Sequence, residues 1–526
     1  MNRLAALVSR FVVSSIALVS LPVFAGTLDP REIDAAIERA LDVFESPGMA
    51  VTVVHGNDIV YAGGRGTVEA GRGSMVDERT LFRIGSVSKA FTAATLAILA
   101  DEGRLDWEDR VIDHLPEFRM LDPWVTREFT VRDLLTHRSG LPLGAGDLLM
   151  FPDGNATVDE IIRAFRHLEP ETSFRSEFAY DNLLYVVAGE VAARAAGQPF
   201  VEVLEERLLA PLGMNDCVAS AERAAPGVTL ATPHVRVDDR LEETTTRISS
   251  VAAAAGGIAC SARSMGKWMQ FMLGSGITAS GERIISEEQF RELVRPVTLL
   301  PVAGYLAEYT GASLNAYALG WNISTFHGTP AWSHGGGVWG MTTFIAVLPE
   351  KQLAVFASNN LMSVAPRAVV YHLVERGLAE TGQPIGNDWI DILAALTAER
   401  GDTARAAVRA ARDARAADSR PSLPLAEYAG RYRDDWYGDI VISVNEDDGL
   451  YFRSERNEPL EGRLEHFQHD TFIARWSDRR LNADAYVSFR LAADGSIESI
   501  GMQAVSPATD FSFDFHHLDL RPVRGE

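Results

Sequence analysis

Three short clusters in this chain hold residue types that could make and break an acyl bond. The first is Gly85-Ser86-Val87-Ser88-Lys89. Ser86 and Lys89 stand three apart, so on a helix they share a face. A serine hydroxyl becomes a nucleophile once a neighbouring base takes its proton. Lysine titrates near ~10.4 in water, and burial can bring that down to between ~5 and ~7. The second cluster, Tyr180-Asp181-Asn182, sets a phenol and an amide ahead of the apolar run 183–196. The third, Ser333-His334-Gly335-Gly336-Gly337, precedes a strand-like run from Thr343 to Leu348. Its glycines permit close approach of a ligand to the backbone. Taken singly, each cluster has a plainer reading: a surface helix start, an N-cap, a turn.

The elements that must hold these residues are legible in outline. From Ser86 to Ala100 the chain is apolar on nearly every side, which predicts a helix inside the core. Its N-terminus supplies backbone N–H groups suited to an oxyanion. Only three of the 49 basic residues are lysines, Lys89, Lys267 and Lys351. A surviving lysine marks a place where arginine, which never gives up its proton, would fail. Asp29-Pro30-Arg31-Glu32 starts a helix through about Phe44. Strands follow at 49–54 and 59–62, joined by the hairpin signal His55-Gly56-Asn57-Asp58. Helices are predicted at 157–168, 181–195 and 200–209, and strands at 343–348 and 353–358. An Ala/Arg/Asp-rich stretch at 389–420, followed by Pro421 and Pro424, reads as a surface helix and linker. Beyond it, alternating runs at 440–444, 450–453, 471–476 and 485–491 predict an all-β module, sheet or small barrel.

Serine-x-x-lysine, then tyrosine-x-asparagine, then a basic residue leading into glycines, in this order, resembles the serine β-lactamase and penicillin-binding-protein superfamily. The resemblance is to its class C-like branch, the peptidase S12 group of related serine hydrolases. Leu134 to Pro142, Pro211-Leu212-Gly213-Met214 and Gly256-Gly257-Ile258 fit the same branch, and residues 423–526 resemble the lipocalin-like domain that ends some members. The implied fold is α/β, an antiparallel sheet flanked by helices plus an all-helical subdomain, followed by a small all-β barrel-like domain. The expected boundaries are 26–385 for the catalytic domain, 386–422 for a helical linker and 423–526 for the β-rich domain.

The resemblance also implies roles. Ser86 is the acylated nucleophile and Lys89 its base, with Tyr180 shuttling protons; which of Lys89 and Tyr180 is the operative base stays open. Asn182 holds Lys89 and the substrate. The backbone N–H groups of Ser86 and Gly337 form the oxyanion hole on a strand that Gly336 keeps bare. His334 departs from the Lys-Thr-Gly found in β-lactamases. A histidine titrating near neutrality offers a substrate carboxylate little fixed charge. That argues against an efficient β-lactamase and for an esterase or a small-peptide amidohydrolase.

Composition narrows the partners. The chain has 526 residues and a net charge of −23, which disfavours nucleic acid. Arg3 and Arg10, the apolar run 11–21 and Val23-Phe24-Ala25 read as a secretory signal over residues 1–25. A periplasmic or secreted protein without stable membrane insertion is expected. Cys217 and Cys260 are too few for a disulfide scaffold, and whether they pair is open. Cys260 reads as a packed small residue. No cofactor or metal is expected: there is no His-Glu-x-x-His, and His466, His469, His516 and His517 read as solvent-facing strand histidines. The expectation is an exported serine hydrolase of short linear or D-residue-containing peptides, such as peptidoglycan fragments or opened cyclic peptides. The alternatives are a carboxylesterase and a catalytically idle peptidoglycan sensor.

Overall fold

The computed structural model describes residues 28–244, 250–379, 386–416, 418–445 and 449–523. The expected signal segment, 1–25, lies outside them. The first helix, α1 (Pro30–Phe44), starts where the Asp29 side chain accepts from the Arg31 N–H at 2.8 Å. It leads into the hairpin β1 (Gly48–His55) and β2 (Asp58–Glu69), and then β3 (Arg72–Met75). β2 runs well past the short strand predicted. Its Gly63 and Gly64 pair with Val51 and Ala50, so a glycine-rich stretch with weak strand propensity is carried by its partner.

These three strands form one edge of a nine-stranded antiparallel sheet completed from the second half of the domain. The other strands are β4 (Thr298–Leu299), β5 (Asn315–Tyr317), β6 (Asn322–Phe326), β7 (Thr329–Val338), β8 (Met341–Leu348) and β9 (Leu353–Asn359). The order across the sheet is β3-β2-β1-β9-β8-β7-β6-β5-β4. α1 and α5 (Ala365–Leu378) cover one face, with Trp389 and Ile390 of α6 (Trp389–Asp413) sealing the layer. α4 (Ala262–Leu273) packs on the other.

The chain between the two halves of the sheet builds a helical subdomain around α2 (Ser88–Asp101) and α3 (Leu183–Ala196). Every residue of α2 from Ser88 to Leu99 is buried, Lys89 included, as its all-round apolar sequence requires. Phe91 stacks on Trp268 with ring centroids 4.0 Å apart, tying α2 to the sheet's own helix α4. The expected helix at 157–168 is shorter, Val158–Ala164, and that at 200–209 is Phe200–Leu204 followed by a wider turn. Cys217 and Cys260 form a disulfide, so Cys260 is a cross-link rather than a packed thiol.

After α6 the chain closes into an eight-stranded barrel. Its strands are β10 (Gly430–Asp434), β11 (Gly438–Val444), β12 (Leu450–Ser454), β13 (Glu461–Gln468), β14 (Thr471–Trp476), β15 (Ala485–Leu491), β16 (Ile497–Ala504) and β17 (Asp519–Pro522). Closure comes from β17 pairing back on β10. Alternate residues turn inward and fill the interior with Tyr432, Phe452, Phe472, Trp476 and Phe489. His516 and His517 lie on a 3₁₀ turn, and His469 on a turn with φ of 47°, rather than on strands.

The barrel grips the helical subdomain at the loop 144–155. Buried Asn457 donates from Nδ2 to the carbonyls of Leu148 at 3.0 Å and Pro152 at 2.9 Å. Buried Asp514 accepts from the Gly146 N–H at 2.7 Å and the Leu148 N–H at 3.1 Å. Leaving such groups without partners costs about 1–3 kcal/mol each. Asn457→Ala should therefore lower the unfolding free energy by about 1–3 kcal/mol. Urea denaturation of both proteins checks it; a change below about 0.5 kcal/mol, the range of ordinary surface substitutions, would show that water replaces this amide without loss.

Candidate active site

Ser86 does not begin a regular α-helix. Gly85 adopts φ of 53°, which diverts the chain, and Gly85–Val87 form a 3₁₀ turn that runs into α2 at Ser88. A side chain at Gly85 would meet the Gly337 nitrogen at 2.6 Å, and one at Gly336 would strike the Ile84 carbonyl oxygen at 2.0 Å. Two bare backbones thus press together where the Ser86 turn meets β7, and this brings Gly337 beside Ser86. Their N–H groups come from different elements, which is how an oxyanion hole is assembled.

Lys89 is fully buried, and its Nζ has three oxygen neighbours. These are Asn182 Oδ1 at 2.7 Å, the Ala255 carbonyl at 2.8 Å and Ser86 Oγ at 3.2 Å. As an ammonium it donates to all three. As a neutral amine it has two N–H donors and one lone pair. The two shorter contacts take the donors, and the lone pair is left for the Ser86 hydroxyl. Burial lowers the Lys89 pKa to about 7, against the opposing pull of Asp147 and Asp181. Nζ also lies over the rings of Tyr180 at 4.8 Å and Tyr185 at 5.2 Å.

The Tyr180-Asp181-Asn182 cluster divides its labour. Asp181 caps α3, its carboxylate accepting from the Leu184 N–H at 3.1 Å. That frees the Asn182 amide, which offers its oxygen to Lys89 and donates from Nδ2 to Asp147 Oδ2 at 2.8 Å. Burial and neighbouring Tyr317 push the Tyr180 phenol well above its usual range, although the Ser86 hydroxyl opposes this by hydrogen bonding. Tyr180 is therefore an un-ionised phenol at neutral pH. Its ring rests on His137, centroids 4.1 Å apart, and His137 Nδ1 accepts from the Asp181 N–H at 3.1 Å.

His334 is placed in the cleft wall, but its electrostatics differ from expectation. It is 3% exposed. Nδ1 lies 2.7 Å from the Gly335 carbonyl and must carry the hydrogen, so Nε2 accepts from the Tyr317 hydroxyl at 2.9 Å. Burial, with Lys89 adding to it, lowers its pKa to about 3. His334 is thus neutral throughout the physiological range and does not titrate near neutrality.

Ser86, Tyr180, Asn182, His334, Gly336 and Gly337 all line one cleft of about 460 Å³, and Lys89 lies beneath it. The sequence reading missed four contributors. Asp147 is the partner of Asn182; burial and nearby Asp514 raise its pKa well above the carboxylate range. A lone aspartate amid Ala145, Leu148 and Leu149 was the available signal. His137 and Tyr317 sit on segments whose role depends on packing. The stretch Asp510–Ser512 comes from the barrel, where no motif pointed to a catalytic cleft. Among the described residues no group of histidine, cysteine, aspartate or glutamate side chains is arranged to hold a metal ion.

The chain belongs to the Beta-lactamase family, whose profile matches residues 33–379. Residues 414–522 match a domain of unknown function, DUF3471. The unguisins hydrolase ungD' of Aspergillus campestris is 27% identical over 506 residues, covering 90% of each protein. The octameric penicillin-binding protein homologue from Pyrococcus abyssi aligns over 90% of this chain and 98% of its own, at 22% identity and a TM-score of 0.59, and so shares the fold. The D-amino acid amidase from Ochrobactrum anthropi SV3, solved with L-phenylalanine amide, aligns over 66% of this chain and 97% of its own. It is 25% identical, with a TM-score of 0.53.

These electrostatics predict a pH profile. Activity should rise as Lys89 loses its proton, with an acid limb in kcat/KM centred near pH 7. His334→Gln should keep that limb, because His334 has already lost its proton there. A limb that vanishes in His334→Gln would transfer the titration to the histidine.

Proposed function

We propose that this protein is a serine hydrolase of short linear or D-residue-containing peptides and amides, working through an acyl-enzyme on Ser86. The observation that carries the reading is the Lys89 amine, with its donors engaged and its lone pair facing Ser86 Oγ at 3.2 Å. Ser86 Oγ attacks the carbonyl carbon of the substrate and its proton passes to Lys89 Nζ. The oxyanion is met by the N–H groups of Ser86 and Gly337. As the C–N bond breaks, the Tyr180 hydroxyl protonates the departing amine and regains a proton from Lys89. A water then attacks the acyl ester, its proton passing through Tyr180 to Lys89; the bond from the acyl carbon to Ser86 Oγ breaks, Lys89 returns that proton to Oγ, and the acid leaves.

The substrate class rests on the cleft and on the relatives. A volume of about 460 Å³ suits a few residues rather than a folded chain. Neutral His334 offers no fixed charge to a β-lactam carboxylate. A relative named for unguisins hydrolysis spans nearly the whole chain, barrel included, and a D-amino acid amidase shares the catalytic fold. Export to the periplasm or beyond is part of the proposal. The signal-like residues 1–25 support it, as does the Cys217–Cys260 disulfide, which persists in oxidising compartments.

Ser86→Ala should abolish hydrolysis of amino-acid amides and p-nitroanilides, a loss of at least about 10³-fold in kcat, and abolish labelling by a fluorophosphonate. Lys89→Arg should be nearly as inactive, since a guanidinium has no lone pair for the serine proton. Steady-state kinetics and intact mass after labelling read both. A Lys89→Arg enzyme with more than about a tenth of wild-type activity would reduce the lysine to an electrostatic support.

A further inference from the structure

One wall of the cleft does not come from the catalytic domain. Asp510, Phe511 and Ser512, between β16 and β17 of the barrel, line the same space as Ser86 and Tyr180. Phe511 stands edge-on to Tyr180 with centroids 6.0 Å apart. Ser512 donates from Oγ to Asp147 Oδ2 at 2.8 Å, the oxygen that also receives the Asn182 amide. This segment is therefore joined to the groups that hold Lys89, and Asp510 is two residues from that joint.

Asp510 is the conspicuous member. Its Oδ1 accepts from the Ser512 N–H at 3.0 Å, and among the described residues no cation pairs with it. The other charged side chain lining the cleft, Arg367, is half-buried, donates to the Tyr305 hydroxyl at 3.1 Å and lies over the Phe344 ring, forming no ion pair with Asp510. The turn at Ser512 needs an oxygen acceptor and would be served as well by an asparagine. Burial raises the Asp510 pKa; hydrogen bonding from Ser512 opposes the rise without cancelling it, and no cation of the described residues makes up the difference. A cation arriving with a ligand would offset it. The same cleft is walled in part by the apolar side chains Met150, Phe151, Trp339 and Phe511.

We propose that Asp510 anchors the protonated amino group of the substrate, so that the barrel makes this a hydrolase of peptides or amides with a free amine and an apolar side chain near the scissile bond. The inference rests on the acyl-enzyme reading above and adds the end by which the substrate is held. It also assigns the barrel a place in the active site: its loop supplies the acidic contact, and the catalytic domain supplies the chemistry.

The test uses boronic acids, which bind covalently to an activated serine without needing a leaving group. The probes are 1-amino-2-phenylethylboronic acid and its glycyl derivative, each with a free or an acetylated amine, in both enantiomers. Their dissociation constants are measured on the full-length protein and on Asp510→Asn, which keeps the acceptor for Ser512. Wild type should bind the free amine of at least one pair about tenfold or more tightly than its acetylated form, and Asp510→Asn should bring that ratio to within about threefold of one. Asp510→Ala should show the same loss, while both variants keep a cooperative urea transition. Equal ratios in wild type and Asp510→Asn, or a preference for the acetylated probes, would overturn the ammonium site while leaving the serine chemistry standing. Failure of every probe to bind wild type would instead remove the activated serine, and the subsite with it.

Discussion

A lysine amine buried against a serine hydroxyl is the constraint that organises this molecule. A pKa near 7 in place of 10.5 corresponds to about 5 kcal/mol against the charged form. That burden is full below pH 7 and fades as the pH climbs towards 10.5, where the unfolded chain gives up its proton too. The fold tolerates it by surrounding Nζ with oxygens that serve both protonation states, and by building the rest of α2 from residues that pack on every side. Asn182 is released for this duty because Asp181 takes over the cap of α3. Tyr180 is oriented by His137, itself fixed by the backbone N–H of Asp181. Each support leans on another, and all converge on one nitrogen.

The second organising fact is that the cleft is shared between domains. The loop 144–155 carries Met150 and Phe151 to the cleft and Asp147 to Asn182, and the barrel holds that loop from both ends through Asp514 and Asn457. The aromatic contacts of Phe513 with Phe151 at 5.1 Å and with Trp339 at 5.9 Å extend the joint into the cleft wall. The chain from Asp147 through Asn182 to Lys89 therefore begins at Ser512 of the barrel. A barrel filled with its own side chains is a rigid support for a loop, and this one presents an acidic loop to a serine site.

The features legible in the sequence are those carried by local pattern. The apolar run after Ser86 announced a buried helix, the lysine scarcity marked Lys89, and alternation marked the barrel strands. Motif order alone connects Ser86, Tyr180, Asn182 and His334. Distance-dependent properties were not legible. His334 reads as a near-neutral titrating residue because its type says so; its burial, with Lys89 nearby, moves it to about 3. The Cys217–Cys260 bond joins residues 43 apart, whose proximity arises from the bridge of Val218 to Ala259. Ser512 meets Asp147 across 365 residues of chain, a pairing that no local periodicity can announce.

The loss of the Lys89 proton near neutral pH is what the site's chemistry turns on, and the scarcity of lysine makes it directly observable. With three lysines in the chain, protein labelled with [ε-13C]lysine gives an NMR spectrum simple enough to assign, Lys89 being the resonance lost in Lys89→Arg. Following that resonance from pH 5 to 11 on active protein measures the one equilibrium on which the account depends. A titration centred near pH 7 is the result predicted. A resonance that keeps its ammonium shift up to pH 10 would contradict it.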